Sequence, residues 1–243
     1  QSPECYLPTT ACILQDKLGL RKDCGAFDYN LGCSGYIYGL AMAKSFINSK
    51  LASNVLLVTA EAYSKHIHSK DITNRAIFGD GATATLIKTS NVNQIGEFNL
   101  GSDGSGAENL IVKGGGGKAG FQNSFKQEER LFMNGSEVFQ FTLDNVPLSI
   151  NDCLEKNELS KSEIDYFILH QANRYMLNNL RNKLGIEKER FFNEMLKSGN
   201  TVSNTIPIAL KNNIESGNLK GKSNILLSGF GVGYSWGSVV ISL

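Results

Sequence analysis

Three side chains in this sequence stand where α/β proteins place their chemistry. Cys33 lies in Asn30-Leu-Gly-Cys-Ser-Gly35, where an extended segment gives way to an amphipathic stretch. A thiol at that boundary faces unpaired backbone N–H groups and the positive end of a helix, and both favour thiolate. The flanking glycines permit a sharp turn that presents the sulfur as a nucleophile, and the same N–H groups could hold an oxyanion. The plain alternative is an inert buried thiol. His170 closes the apolar run Phe167-Ile-Leu-His170, and strand C-termini are where α/β folds seat ligands. Its plain alternative is a hydrogen-bonded core histidine. Asn200, in Ser198-Gly-Asn-Thr201, precedes a second amphipathic stretch, where an N-cap role would suffice to explain it. His66 and His68 lie among polar residues and read as solvated. Cys5, Cys12, Cys24 and Cys153 lack the setting of Cys33 and read as structural.

The elements that must position these residues repeat. After Cys33, residues Tyr36, Ile37, Leu40, Ala43 and Ile47 recur at helical spacing. A buried-strand run follows at Val55–Thr59, then a turn at Gly79-Asp80-Gly81 and a second strand over Ala82–Ile87. After Asn200, a helical pattern runs through Ile206, Ala209, Leu210 and Ile214. Strands follow at Ile225–Ser228 and Ser238–Ser242, with a glycine turn at Gly229–Gly233 between them. Both halves read helix, strand, turn, strand. Asn200 therefore holds in the second repeat the place of Cys33 in the first. Symmetry would bring both helix N-termini to one cleft, with His170 at a neighbouring strand end.

Upstream, the second half adds a strand over Ile164–Leu169, a capping-box pattern at Ser160 and Glu163, and a helix over Asn173–Leu184. The counterparts in the first half should lie near or before residue 1, where only Thr10–Leu18 reads as helix. The first unit is expected to be truncated. Residues 1–115 form the first half, 116–133 a connecting loop and 134–243 the second half, opening on a helix over Asn134–Glu155. Two such units sharing a core predict a duplicated, layered α/β fold.

Composition narrows the function. The chain has 243 residues, with 24 Lys and Arg against 23 Asp and Glu. That balance removes the electrostatic case for nucleic acid or an anionic membrane as partner. No apolar run approaches ~18 residues, so no transmembrane helix is expected, and the start shows no signal peptide. Five irregularly spaced cysteines describe neither a disulfide framework nor a metal site. A soluble, reduced, cytoplasmic protein is the expectation. Gly114–Gly117 lacks the Lys-Ser/Thr that a phosphate loop requires. Gly229-Phe-Gly-Val-Gly233 leads into a strand rather than a helix, so it reads as a tight turn whose N–H groups face the cleft.

The ordered motifs resemble the β-ketoacyl-acyl carrier protein synthase III family of thiolase-like condensing enzymes. They are Leu7-Pro-Thr-Thr-Ala-Cys12, Ala26-Phe-Asp-Tyr-Asn-Leu-Gly-Cys-Ser-Gly35, Phe78-Gly-Asp-Gly-Ala82, Met133-Asn-Gly, Ile168-Leu-His-Gln-Ala-Asn173, Gly199-Asn-Thr201 and Gly229–Gly237. The resemblance implies an α/β/α/β/α thiolase-like fold with mixed sheets, its first repeat incomplete by roughly 80 residues. It implies that Cys33 is the acylated nucleophile, with His170 and Asn200 completing a Cys-His-Asn triad. The oxyanion hole would comprise the N–H groups of Cys33 and Val232. Acyl-CoA and malonyl-acyl carrier protein are the implied substrates, with no cofactor or metal, and a homodimer is the implied assembly. Arg75 and Asn173 match positions that contact CoA or substrate. Two positions depart from the pattern: Val232 replaces a frequent Gly, and Tyr175 replaces a basic residue.

Three readings stay open on these residues. The first is a synthase that starts fatty-acid synthesis by decarboxylative Claisen condensation. The second is a specialised synthase that serves surface glycan, lipid or secondary pathways. The third is an inactive fragment that only binds or oligomerises. A thiolase would need a second cysteine in the final glycine turn, which has none.

Overall fold

The computed structural model describes residues 1–114, 130–193, 195 and 198–243. Along the chain run α1 (Thr10–Lys17), α2 (Gly35–Asn48), β1 (Asn54–Glu61), the short α3 (Ile72–Arg75), β2 (Gly81–Lys88) and β3 (Ile95–Ser102). Next come β4 (Leu110–Val112), β5 (Leu131–Met133), α4 (Gly135–Lys156), β6 (Tyr166–Leu169), α5 (Arg174–Leu184), α6 (Thr205–Glu215), β7 (Asn224–Gly231) and β8 (Ser235–Ser242). The expected connecting loop falls mostly outside the described residues. Its end, Leu131–Met133, is strand β5, which pairs with β4.

The main sheet has the order β3-β8-β7-β6, with β6 parallel to β7 and the other pairs antiparallel. Side chains alternate across it. On one face Phe167, Leu169, Leu226 and Val240 pack with α4 and α5. On the other, Ile168, Ile225, Leu227 and Val239 pack with α2 and α6. A sheet covered on both faces needs apolar residues at both parities, which explains the unbroken run Tyr166-Phe-Ile-Leu169. The antiparallel pair β1–β2 lies beyond α2, whose Tyr36, Ile37, Leu40 and Ala43 fill the space between the layers with Leu57 and Ile87. Among the described residues the order is therefore α4/α5, sheet, α2/α6, β1–β2. The outer face of that pair carries exposed Leu56, Val58 and Leu86.

The repetition is visible: α2 leads to the antiparallel β1–β2, and α6 to the antiparallel β7–β8. Strand β3 is a departure from the sequence reading. Counted there with the first half, it pairs with β8 in the second half's sheet. The capping box also forms, with the Ser160 N–H donating to the Glu163 carboxylate at 2.8 Å, but it starts a single 3-10 turn before β6.

Candidate active site

Cys33 precedes α2 by two residues, with Ser34 as the N-cap. It is held from behind by the end of β7. A Cβ at Gly231 would lie 2.8 Å from the Cys33 Sγ, and Gly231 has φ of 157°. Only glycine tolerates both that backbone and that proximity. The next residue, Val232, turns its N–H toward the thiol, as does the N–H of Cys33 itself, and both favour the thiolate. Burial and the Glu61 carboxylate oppose them more strongly and push the thiol up to about 12. The helix end that the sequence offered as a thiolate stabiliser is thus outweighed by desolvation.

His170 follows β6 directly. Its ring meets Phe230 of β7 edge to face at 5.5 Å, so β7 supports the imidazole and the thiol with consecutive residues. The ring Nδ1 lies 2.7 Å from the Thr205 hydroxyl at the start of α6. Burial lowers its pKa to about 3, against a smaller raising effect of the Val202 backbone. The imidazole is therefore neutral across the physiological range.

Asn200 is placed by the first half of the chain. It forms a parallel bridge with Phe78: its N–H donates to the Ile77 carbonyl, and its carbonyl accepts from Gly79 N–H, both at 2.9 Å. Its side-chain Oδ1 accepts the Val202 N–H at 2.9 Å, which leaves the Nδ2 amino group as the donor end. Val202 has φ of 57° and is fully buried. A β-branched residue in that region is strained, and such strain collects at functional sites. Here it aims the Val202 N–H at Asn200 and its carbonyl at Thr205 and the His170 ring.

Contacts between Cys33 and Gly231, His170 and Phe230, His170 and Thr205, and Val202 and Asn200 bring the three side chains to one place. The N-terminus of α2 meets the turn before α6 and the start of β8: a Cβ at Gly35 would be 3.7 Å from Ser203, and Ser34 Oγ is 2.7 Å from Ser235 Oγ. Cys33, His170 and Asn200 are 5%, 2% and 5% exposed, so the site can exclude water from charged intermediates.

The remaining sequence candidates sit further out. Asn173 caps α5, its Oδ1 accepting Met176 N–H at 2.8 Å. Arg75 is exposed on α3, three residues before Phe78. His66 and His68 are half-buried rather than solvated. Sequence reasoning missed Glu61, a buried carboxylate at the end of β1 that accepts the Ser203 hydroxyl at 2.8 Å. The strand-end rule that singled out His170 applies equally to Glu61, since it closes the run Val55-Leu-Leu-Val-Thr-Ala-Glu61.

Two family models match the chain. The 3-oxoacyl-(acyl-carrier-protein) synthase III model covers residues 27–104, and its C-terminal counterpart covers 154–243. A β-ketoacyl-(acyl-carrier-protein) synthase III from Clostridium perfringens is 40% identical over the whole of this chain and 75% of its own length. A crystal structure of a 3-oxoacyl-(acyl-carrier-protein) synthase III superposes with a TM-score of 0.95 at 42% identity, covering 100% of this chain and 76% of that one. The corresponding synthase from Burkholderia xenovorans gives 0.92 at 38% identity, covering 100% and 71%.

Proposed function

The chain belongs to the 3-oxoacyl-(acyl-carrier-protein) synthase III family of thiolase-like condensing enzymes, and from that premise we propose that Cys33, His170 and Asn200 carry a decarboxylative Claisen condensation that initiates fatty-acid biosynthesis. The protein is an acyltransferase. Its substrates are an acyl-CoA and malonyl-acyl carrier protein.

In the first half-reaction the Cys33 sulfur attacks the acyl-CoA carbonyl. The tetrahedral oxyanion rests on the N–H groups of Cys33 and Val232. The C–S bond to CoA breaks, the thiol proton leaves with CoA as its free thiol, and the acyl group remains on Cys33 as a thioester. Replacement of a frequent Gly by Val232 leaves this hole intact, because only the N–H is used.

In the second half-reaction the malonyl thioester carbonyl accepts hydrogen bonds from His170 Nε2–H and Asn200 Nδ2–H. The bond to the carboxylate breaks, carbon dioxide departs, and the electron pair becomes an enolate held by those two donors. A neutral imidazole suits this task, since it donates without neutralising the carbanion by proton transfer. The enolate carbon attacks the acyl-Cys33 carbonyl, and collapse of the second oxyanion releases a 3-oxoacyl thioester on the carrier protein. The Cys33 thiolate then takes up one proton. Arg75 and Asn173 are assigned to the CoA and substrate approach.

The observation that carries the reading is the pair of N–H groups on the Cys33 thiol beside a neutral, buried His170. Intact-protein mass spectrometry after incubation with acetyl-CoA and longer acyl-CoAs tests it. A single acyl adduct on Cys33, absent from Cys33→Ala, is expected; no adduct from any donor on a folded sample would sink the proposal. The edges of β1–β2, which pair with no other strand among the described residues, and the exposed Leu56, Val58 and Leu86 nearby support a homodimer, for which sedimentation equilibrium should give twice the chain mass. A cytoplasmic setting, with no resident cofactor, completes the proposal. Among the described residues no helix is long and apolar enough to cross a membrane.

A further inference from the structure

The oxyanion hole assigned above draws its two N–H groups from separate segments: Cys33 just before α2, and Val232 in the turn between β7 and β8. Each segment also carries a buried serine. Ser34 follows Cys33 directly and is fully buried, and Ser235, at the start of β8, is 4% exposed. Their hydroxyl oxygens lie 2.7 Å apart across 201 residues of chain. The Ser235 hydroxyl also donates to the Val232 carbonyl at 2.8 Å. The two serines thus join the two sources of the hole.

Proton counting fixes the direction of this chain of hydroxyls. A hydroxyl has one proton and a carbonyl can only accept, so the Ser235 proton goes to Val232. Ser235 then receives at its oxygen, and Ser34 is the donor. Ser34 is free for that task, because it occupies the N-cap of α2 without its side chain bonding to the helix. An N-cap serine ordinarily accepts a backbone N–H of the first turn; this one faces β8 instead. On the other side of the turn, Tyr234 exchanges two backbone hydrogen bonds with Asp103, at 2.7 and 2.9 Å. These tie the turn to the end of β3 and leave its spacing from Cys33 to two other features. The contact of Gly231 with the Cys33 sulfur limits how near the turn can come, and the hydroxyl chain limits how far it can drift.

We propose that Ser34 and Ser235 are positioning residues: their hydroxyl chain sets the spacing between the Cys33 and Val232 N–H groups, so that both reach one acyl oxyanion. This rests on the condensing-enzyme reading above. Oxyanion donors act only at the right distance from the oxygen that develops charge, and a displacement of about 1 Å costs roughly a hundredfold in rate. In this role neither serine touches the substrate. The enolate is held elsewhere, by His170 and Asn200. The hydroxyl chain therefore bears on acyl transfer and not on decarboxylation of the malonyl donor.

The test compares wild type with Ser235→Ala, Ser34→Ala and the double variant. Loading of Cys33 by acetyl-CoA should fall about fiftyfold in kcat for Ser235→Ala, with KM within about threefold. Ser34→Ala keeps the bond to Val232 and should lose about fivefold. The double variant should lose no more than Ser235→Ala, because the two hydroxyls act as one unit. Carbon dioxide release from malonyl-acyl carrier protein should stay within about threefold throughout. Alkylation of Cys33 by iodoacetamide should slow in Ser235→Ala, since the Val232 N–H also favours the thiolate. Equal losses in loading and decarboxylation would mark a merely structural role and overturn the proposal, as would multiplied losses in the double variant or unchanged loading. If Ser235→Ala does not fold, Ser34→Ala decides: a loss confined to loading supports the hydroxyl chain, and no loss overturns it. If wild type neither loads nor decarboxylates, the condensing-enzyme reading fails. The alkylation comparison then still judges the hydroxyl chain, which unchanged or faster alkylation in Ser235→Ala would overturn.

Discussion

Burial moves the Cys33 thiol and the His170 imidazole in opposite directions on the pH scale, because water is withheld from the charged form of each. Cys33, pushed up to about 12, stays a thiol in the ligand-free protein at neutral pH. Its alkylation by iodoacetamide should therefore trail that of the exposed Cys5, Cys12 and Cys24 and rise about tenfold per pH unit from 7 to 9, as the thiolate fraction does. Peptide mapping across that range checks this, and a flat profile for Cys33 would contradict it. The sequence revealed the candidate triad through position: a cysteine and an asparagine at matching points of a repeat, and a histidine at a strand end. It could not reveal Val202 or Thr205. Nothing in the letters Asn200-Thr-Val-Ser-Asn-Thr205 says that a valine will adopt left-handed backbone, or that a hydroxyl will face a ring thirty-five residues upstream.

Elements with strong periodicity were legible. The patterns of α2, α5 and α6 and the apolar runs of β1, β6 and β7 are set by buried faces that demand particular residue types. Strand β3 gave no such signal. Its sequence, Ile95-Gly-Glu-Phe-Asn-Leu-Gly-Ser102, has two glycines and only partial burial, and it is a strand because β8 offers it an edge. The most consequential element boundary is the end of β7. Gly231→Ala would drive a methyl group onto the Cys33 sulfur in a backbone region hostile to alanine, at a cost of about 1–3 kcal/mol. Denaturant melts should show that loss, and acyl loading should fall further than stability does, because Val232 N–H shifts with the turn. Unchanged loading in Gly231→Ala would remove Val232 from the oxyanion hole.

The whole molecule's stability is tied to the same buried groups. His170 titrates near 3 in the folded chain and near its ordinary 6.5 when exposed. Between those values the unfolded chain binds a proton that the folded chain refuses. The stabilising effect is therefore present above pH 6.5 and lost as pH falls toward 3, by about 1.4 kcal/mol per pH unit from this group. Urea melts at pH 7, 6, 5 and 4 should show a shallower acid decline in His170→Asn than in wild type. Parallel curves would mean that the ring is hydrated in the folded protein.

The bridge between Phe78 and Asn200 adds a matter of timing. It joins segments far apart along the chain, and pairings of long sequence separation close late, after helices and hairpins have formed. During folding, Cys33 can meet solvent before Asn200 is locked in place. For that interval the thiol is open to peroxide and to disulfide exchange, chemistry from which the finished core protects it. A newly made chain is thus open to oxidative loss at Cys33 until its active site closes.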